Sequence, residues 1–251
     1  MLKKRIIPVL TANNLSLVKT RGFNDPRTIG NPVQSARIFT ARNADELVFV
    51  DIYAGRKNQE INTKLVSHIL QECDIPLTVG GGIKRIETAH ELFKIGTDKI
   101  LLRSSALNES QLPYEIASIY GKQSVVIALD IVTEINGEYV VLRDSSTHIS
   151  LQEAIKAINE IQPGEVVVTS IAKEGFMNGM DLKLLNKIKN KINVPIIFNG
   201  GVSKPIDAVE AFTEFSGLSA IGASSVFQYT QFNINDIKEK LDEFNIKVRQ
   251  L

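Results

Sequence analysis

Two glycine pairs, Gly81-Gly82 and Gly200-Gly201, stand 119 residues apart, and each is followed further along by a small hydroxyl pair, Ser104-Ser105 and Ser224-Ser225. Glycine has no Cβ, so its backbone N–H can approach an anion closely. Hydroxyls and N–H groups at a helix start add further donors. One glycine pair is accounted for by a tight turn alone. Two pairs, each with its own serines, point to two phosphate sites and a substrate carrying a phosphate at each end. Arg103, beside Ser104, brings a guanidinium that can clamp a phosphate or carboxylate, or simply pair with a neighbouring acid. Thr11 and Asp130 are also 119 residues apart. Asp130 can take or give a proton, or act as a turn-capping carboxylate. Thr11 offers only a hydrogen bond near neutral pH. The chain thus holds half of a symmetric acid–base pair. Lys19 can stabilise an anion or be plain surface charge, and Asp51 and Glu174 are further carboxylates.

Short apolar, β-branched runs at 5–10, 46–52, 77–79, 99–102, 124–129, 165–169, 195–198 and 219–222 predict eight strands. They lack polar alternation, as strands of a parallel sheet covered on both faces should. Amphipathic stretches at 33–41, 62–72, 86–95, 111–120, 151–160, 182–191, 206–213 and 234–243 predict eight helices between and after them. Eight strand–helix units in 251 residues fit an α/β fold of the closed (β/α)8 TIM-barrel type as one domain over 1–251. A doubly wound open sheet is the alternative, but its Gly-rich first turn is replaced by Thr11-Ala12-Asn13-Asn14.

An internal repeat supports the barrel. Residues 75–83 (IPLTVGGGI) recur at 194–202 (VPIIFNGGV), and 46–52 (ELVFVDI) recur at 165–171 (EVVVTSI), both at an offset of 119. Residues 102–105 (LRSS) match 223–226 (ASSV) at an offset of 121. Two half-barrels of four units related by a twofold axis explain this. The glycine pairs, the serines, Thr11, Lys19 and Asp130 then fall at or beyond strand C-terminal ends, where barrel chemistry occurs. Arg5, Glu46, Lys99 and Glu165 fall at strand starts and ring the opposite end, either as a salt-bridge collar or as a gate that pairs and parts.

Hydrophobic residues are 43% and charged residues 23% of the chain, an ordinary globular balance. Lys+Arg 29 against Asp+Glu 28 gives a formal net charge of +1, so no global pull toward nucleic acid or an anionic membrane exists. One cysteine, Cys73, excludes a disulfide framework within the chain. The basic start at 1–8 has too short an apolar stretch for a signal peptide, and a reducing cytoplasm is the expected location. His68, His90 and His148 lack ligand spacing, so neither a metal nor an organic cofactor is expected.

These residues resemble the HisF family, the cyclase (synthase) subunit of imidazole glycerol phosphate synthase, over essentially the whole chain. The resemblance is carried by Lys3-Lys4-Arg5-Ile6-Ile7-Pro8, Leu17-Val18-Lys19, Asp45 to Ile52, Thr78-Val79-Gly80-Gly81-Gly82-Ile83, Gly96-Thr97-Asp98-Lys99, Asp130, Thr169-Ser170-Ile171 and Ala223-Ser224-Ser225-Val226-Phe227. It implies a separate HisH-like glutaminase docked on the N-terminal face, with Asp98 facing it. Ammonia would pass a gate of Arg5, Glu46, Lys99 and Glu165 and travel past Thr78 along the axis. In the family, ammonia adds to a bis-phosphorylated formimino carboxamide nucleotide, and ring closure and cleavage follow.

The chain departs from the family at the chemical face. The family carries Asp where Thr11 stands and usually Asn where Arg103 stands. Its Ser-Ile-Asp-x-Asp-Gly reads Ser170-Ile171-Ala172-Lys173-Glu174-Gly175, glycines are lacking around Arg143-Asp144-Ser145-Ser146, and Asn31 replaces an Asp. Three functions are therefore expected in order. The first is a HisF-like paralogue that delivers ammonia to a different acceptor, in amidine formation on a surface-polysaccharide (lipopolysaccharide-type) sugar precursor. The second is an authentic histidine-biosynthesis synthase (a lyase), and the third is a non-catalytic barrel that conducts ammonia within a larger complex.

Overall fold

A computed structural model describes residues 3–57, 59–108, 111–144 and 147–249, so Met1, Leu2, Ser145 and Ser146 of the segments discussed above lie outside the described residues. Twelve strands are found among the described residues: β1 Arg5–Asn13, β2 Ser16–Arg21, β3 Asn24–Gly30, β4 Leu47–Asp51, β5 Leu77–Gly80, β6 Lys99–Leu102, β7 Val125–Thr133, β8 Tyr139–Leu142, β9 His148–Ser150, β10 Glu165–Ser170, β11 Ile196–Asn199 and β12 Ala220–Ala223. Eight of them run parallel in the order β1-β4-β5-β6-β7-β10-β11-β12. The β12–β1 pairing, Arg5 opposite Ala220 through Pro8 opposite Ala223, closes the sheet on itself. The structure is a (β/α)8 barrel, as the run of apolar segments predicts.

The eight outer helices lie where expected: α1 Pro32–Ala41, α3 Thr63–Gln71, α4 Ile86–Lys94, α6 Leu112–Tyr120, α7 Leu151–Ile161, α8 Leu182–Ile188, α9 Pro205–Glu214 and α11 Ile234–Glu243. Three short helices follow strand ends directly: α2 Ile52–Lys57, α5 Ser104–Leu107 and α10 Ser225–Tyr229. Starts are fixed by side-chain caps. Asn62 accepts from Leu65 N–H, Asp181 from Leu184 N–H, and Ser150 and Glu153 form a reciprocal box. Helix 182–191 stops three residues early, at Ile188.

Two apolar layers explain why the strands show no polar alternation. Ile6, Leu10, Phe49, Ile100, Ile127 and Phe198 pack outward against the helices in the main core. Ile7, Val9, Val48, Leu101, Val126, Ala128, Val167, Ile197 and Ala220 form a second cluster inside the barrel. Both strand faces are buried, so period-2 patterning is apolar on each side.

The loops after β1 and β7 are not loops. β1 continues past the barrel wall and pairs antiparallel with β2, which pairs with β3, and β7 does the same with β8 and β9. The two hairpins stand at equivalent places in the half-barrels. β2, β3 and β9 are polar or mixed and carry no apolar run, while β8 (Tyr-Val-Val-Leu) is an apolar run as long as several barrel strands that the count of eight left out. Lys19, expected on a loop after the first strand, is instead an ordered residue of β2.

Candidate functional site

At the strand starts, Arg5, Glu46, Lys99 and Glu165 form a closed ring. Arg5 Nη1 donates to Glu46 Oε1 at 2.7 Å and Lys99 Nζ to Glu46 Oε2 at 2.8 Å. Lys99 Nζ reaches Glu165 Oε2 at 2.7 Å, and Arg5 Nη2 closes the circuit to Glu165 Oε1. All four carboxylate oxygens are engaged. Burial pushes Glu165 up, but the donors and charges of Arg5 and Lys99 outweigh it and hold the carboxyl below its ordinary range. Thr78, buried on β5, is in register with Val48 on one side and Lys99 on the other, which puts it on the inward row just above the ring. Asp98 is exposed at this end, and its Oδ2 accepts from Leu77 N–H at 2.8 Å.

At the strand ends a cavity of about 690 Å³ opens, lined by Thr11, Lys19, both glycine pairs, Arg103, Ser104, Ser105, Asp130, Ser224 and Ser225 among others. Its inner wall reaches Val9, Val48, Leu101 and Val167 of the interior cluster. Mouth and ring are thus separated by a layer of apolar side chains inside the barrel.

The glycines are required by packing, whatever else they do. Gly81 has φ +102°, and a Cβ there would lie 2.1 Å from the Asp51 carbonyl oxygen. Its mate Gly200 has φ +105° and faces the Ser170 carbonyl, the repeat mate of Asp51. Gly82 and Gly201 approach the backbone of Gln59 and Gly179 as closely. The absence of side chains leaves this backbone on the cavity wall.

The serine pairs are unequal in detail. Ser104 and Ser225 begin α5 and α10, so their N–H groups stand outside the intrahelical ladder. Ser105 Oγ donates to Ile83 O at 3.1 Å, and Ser224 Oγ to Val9 O at 2.5 Å. Those two hydroxyl protons are committed to the wall.

Thr11 does not face its repeat mate Asp130 with a free hydroxyl, because Thr11 Oγ1 donates to Val18 O at 2.7 Å across its own hairpin. Asp130 is buried. Burial pushes its carboxyl up, and the Arg103 guanidinium and Thr169 hydroxyl oppose that. Arg103 Nη1 donates to Asp130 Oδ2 at 3.0 Å. Lys19 is buried at 5% exposure and lines the cavity. Burial pulls its ammonium down to about 8, the charge of Glu174 acting the other way.

Two rim carboxylates have structural work. Asp51 Oδ1 accepts from Tyr53 and Ala54 N–H, both at 3.0 Å, capping α2. Glu174 accepts from Thr20 Oγ1 at 3.1 Å and Phe23 N–H at 3.2 Å, while its backbone oxygen accepts from Gly22 N–H at 2.9 Å. It latches the first hairpin across the mouth. Burial, the largest influence, raises the Glu174 carboxyl. The pairing of Arg103 with a neighbouring acid is one of the two roles its sequence position leaves open, and the structure shows that acid to be Asp130; no local pattern signals the Glu174 latch.

Among the described residues no helix is long and apolar enough to cross a membrane. A family model described as "Histidine biosynthesis protein" matches residues 5–233. Similar curated proteins include the "Putative imidazole glycerol phosphate synthase subunit hisF2" of Campylobacter jejuni, 37% identical over the full length of both chains. The imidazole glycerol phosphate synthase subunit HisF of Streptococcus mutans is 36% identical, covering 99% of this chain and 100% of that one, and the HisF of Nitrosopumilus maritimus is 35% identical with the same coverage. With the closed barrel and its duplicated mouth, these matches establish that the chain belongs to the histidine biosynthesis protein family as a HisF-like member.

Proposed function

We propose that this chain is the synthase subunit of a glutamine amidotransferase complex. A HisH-like glutaminase on the N-terminal face, near Asp98, would release ammonia beneath the ring of Arg5, Glu46, Lys99 and Glu165. The ring acts as the gate, and ammonia crosses the apolar layer past Thr78 to an acceptor in the mouth. Neutral ammonia, unlike ammonium, crosses an apolar lining without a large desolvation cost. The mouth holds an anionic acceptor through Gly81, Gly82, Arg103 and Ser104 on one side and Gly200, Gly201, Ser224 and Ser225 on the other, with Lys19 supplying a further cationic contact. No separate cofactor is invoked.

One observation carries this reading over ring closure. The charged ring is complete, whereas the mouth lacks one of its two symmetric carboxylates, and Thr11 spends its hydroxyl on Val18 O. Loss of a placed acid or base costs roughly 10²–10⁴-fold in rate. Ammonia delivery is therefore retained while imidazole ring closure is impaired. For the acceptor we take the one that the resemblance to HisF-like paralogues suggests, a surface-polysaccharide sugar precursor undergoing amidine formation.

A second reading, an authentic cyclase of histidine biosynthesis, is favoured by Asp130 and Lys19 at the mouth. Turnover of the formimino nucleotide with ammonium salts, followed by ultraviolet absorbance, separates the two. The first reading expects background turnover, and efficient turnover overturns it. Neighbouring sugar-nucleotide genes support the first, and histidine genes the second.

A further inference from the structure

We propose that Arg103 is a positioning residue that withholds Asp130 from proton transfer and so uncouples ammonia passage from ring closure in this barrel. The consequence for turnover rests on the ammonia-delivery reading above, but the ion pair does not.

The argument starts from the internal symmetry. Arg103 is the last residue before α5, and its repeat mate, the residue before α10, is Ser224. Serine at this place is short and turns its hydroxyl to the wall, onto Val9 O. Arginine is long enough to span to the neighbouring strand end, and its Nη1 sits 3.0 Å from Asp130 Oδ2. Thr11 and Asp130 are mates in the same way, and only the Asp130 side carries a carboxylate. The single proton-transfer group at the two symmetric positions is thus the one that the single asymmetric cation occupies.

The surroundings deepen this. Asp130 is buried, and the cation acting on it is Arg103. Lys19 and Lys84 also line the mouth; Lys19 faces the charge of Glu174, and Glu174 in turn feels the charge of Asp130. A guanidinium is always charged and its fork geometry suits a carboxylate, so the Arg103 charge opposes the rise that burial imposes on the Asp130 carboxyl. Asp130 Oδ2 is engaged by the Arg103 guanidinium, and ammonia that reaches the mouth meets this pair.

The test uses the full chain and two readouts. In the first, the side-chain carboxyl of Asp130 is titrated by ¹³C NMR in the wild type, Arg103→Ser and Arg103→Lys. Arg103→Ser, the symmetry mate's residue, is expected to move the titration up by roughly 1 to 3 pH units, because burial then acts without the guanidinium. Arg103→Lys, which keeps a charge without the fork, is expected to move it less. An unmoved titration in Arg103→Ser overturns the proposal.

In the second, formimino nucleotide turnover with ammonium salts is measured for Thr11→Asp alone and for Thr11→Asp with Arg103→Ser. The single variant is expected to stay near background. The double variant is expected to gain roughly 10²-fold or more, with a pH limb that follows the Asp130 titration. Equal gains in single and double variants, or none in the double variant, overturn the proposal. Efficient ring closure by the unsubstituted chain overturns the ammonia-delivery reading itself, whatever the titration shows.

Discussion

The Lys238 ammonium lies 2.8 Å from Asp45 Oδ1, and the Asp45 side chain is wholly covered. The other carboxylate oxygen accepts from Ile6 N–H at 2.8 Å, and Lys238 also donates to Asn43 O at 2.8 Å. The pair therefore bolts α11 to the base of β1 and closes the last unit of the barrel onto the first. Removing one partner of a buried pair strands the other without compensation, at about 3–5 kcal/mol. Lys238→Met should lower unfolding stability by about that much in urea melts, and the double variant with Asp45→Asn should recover part of it. A loss under about 1 kcal/mol in Lys238→Met would show that the pair does not fasten the barrel.

The ring of Arg5, Glu46, Lys99 and Glu165 gives a pH prediction. Glu165 is held below its ordinary range in the folded chain. A depressed carboxyl contributes stability that is present above its unfolded value and is lost as pH falls through the folded one. Lys99→Met leaves Glu46 Oε2 and Glu165 Oε2 without their donor and should cost on the order of 3 kcal/mol at pH 7. The acid-side decline of stability should then be shallower than in the wild type. Parallel urea titrations between roughly pH 3 and pH 7 check both the offset and the slope; matching slopes would count against the ring as their source.

Gly81 and Gly137 separate two costs of adding a methyl group. Both have positive φ, +102° and +80°. A Cβ on Gly137 meets nothing within 4 Å, whereas one on Gly81 meets the Asp51 carbonyl at 2.1 Å. Gly137→Ala should cost only the left-handed backbone penalty, about 1–2 kcal/mol. Gly81→Ala should cost clearly more and disturb the Asp51 cap on α2, seen as faster amide exchange at Tyr53 and Ala54. Equal costs would mean that the mouth loop moves aside freely.

The barrel was legible because two independent signals agreed. The apolar runs located the strands, and the 119-residue offset paired them. The ring was legible because charged residues at strand starts interrupt otherwise apolar runs. The first hairpin was not, since β3 reads Asn-Asp-Pro-Arg-Thr-Ile-Gly and is largely exposed. Its pairing comes from β2 and from the Glu174 latch, 151 residues away from Phe23 in the chain. The acid that Arg103 pairs with was hidden for a related reason. Each residue has a sound local role, and only the adjacency of β6 and β7 brings them together.

Lys19 carries the sharpest conflict between stability and use. Its folded value of about 8 lies below the ordinary 10.5, with burial as the cause. A lysine depressed in this way binds fewer protons folded than unfolded between those two values. Stability therefore rises with pH from about 8 to 10.5, and the penalty for burying the charge is fully present below 8. Lys19→Met keeps the apolar stem and removes the charge. At pH 7 it should raise stability by on the order of 2–3 kcal/mol and flatten the alkaline rise. The same substitution should weaken binding of a bis-phosphorylated ligand at the mouth at least tenfold in calorimetry, since a functional site commonly spends stability on a poised group. A variant that is neither more stable nor a weaker binder would show that the buried Lys19 charge neither costs stability nor serves the mouth.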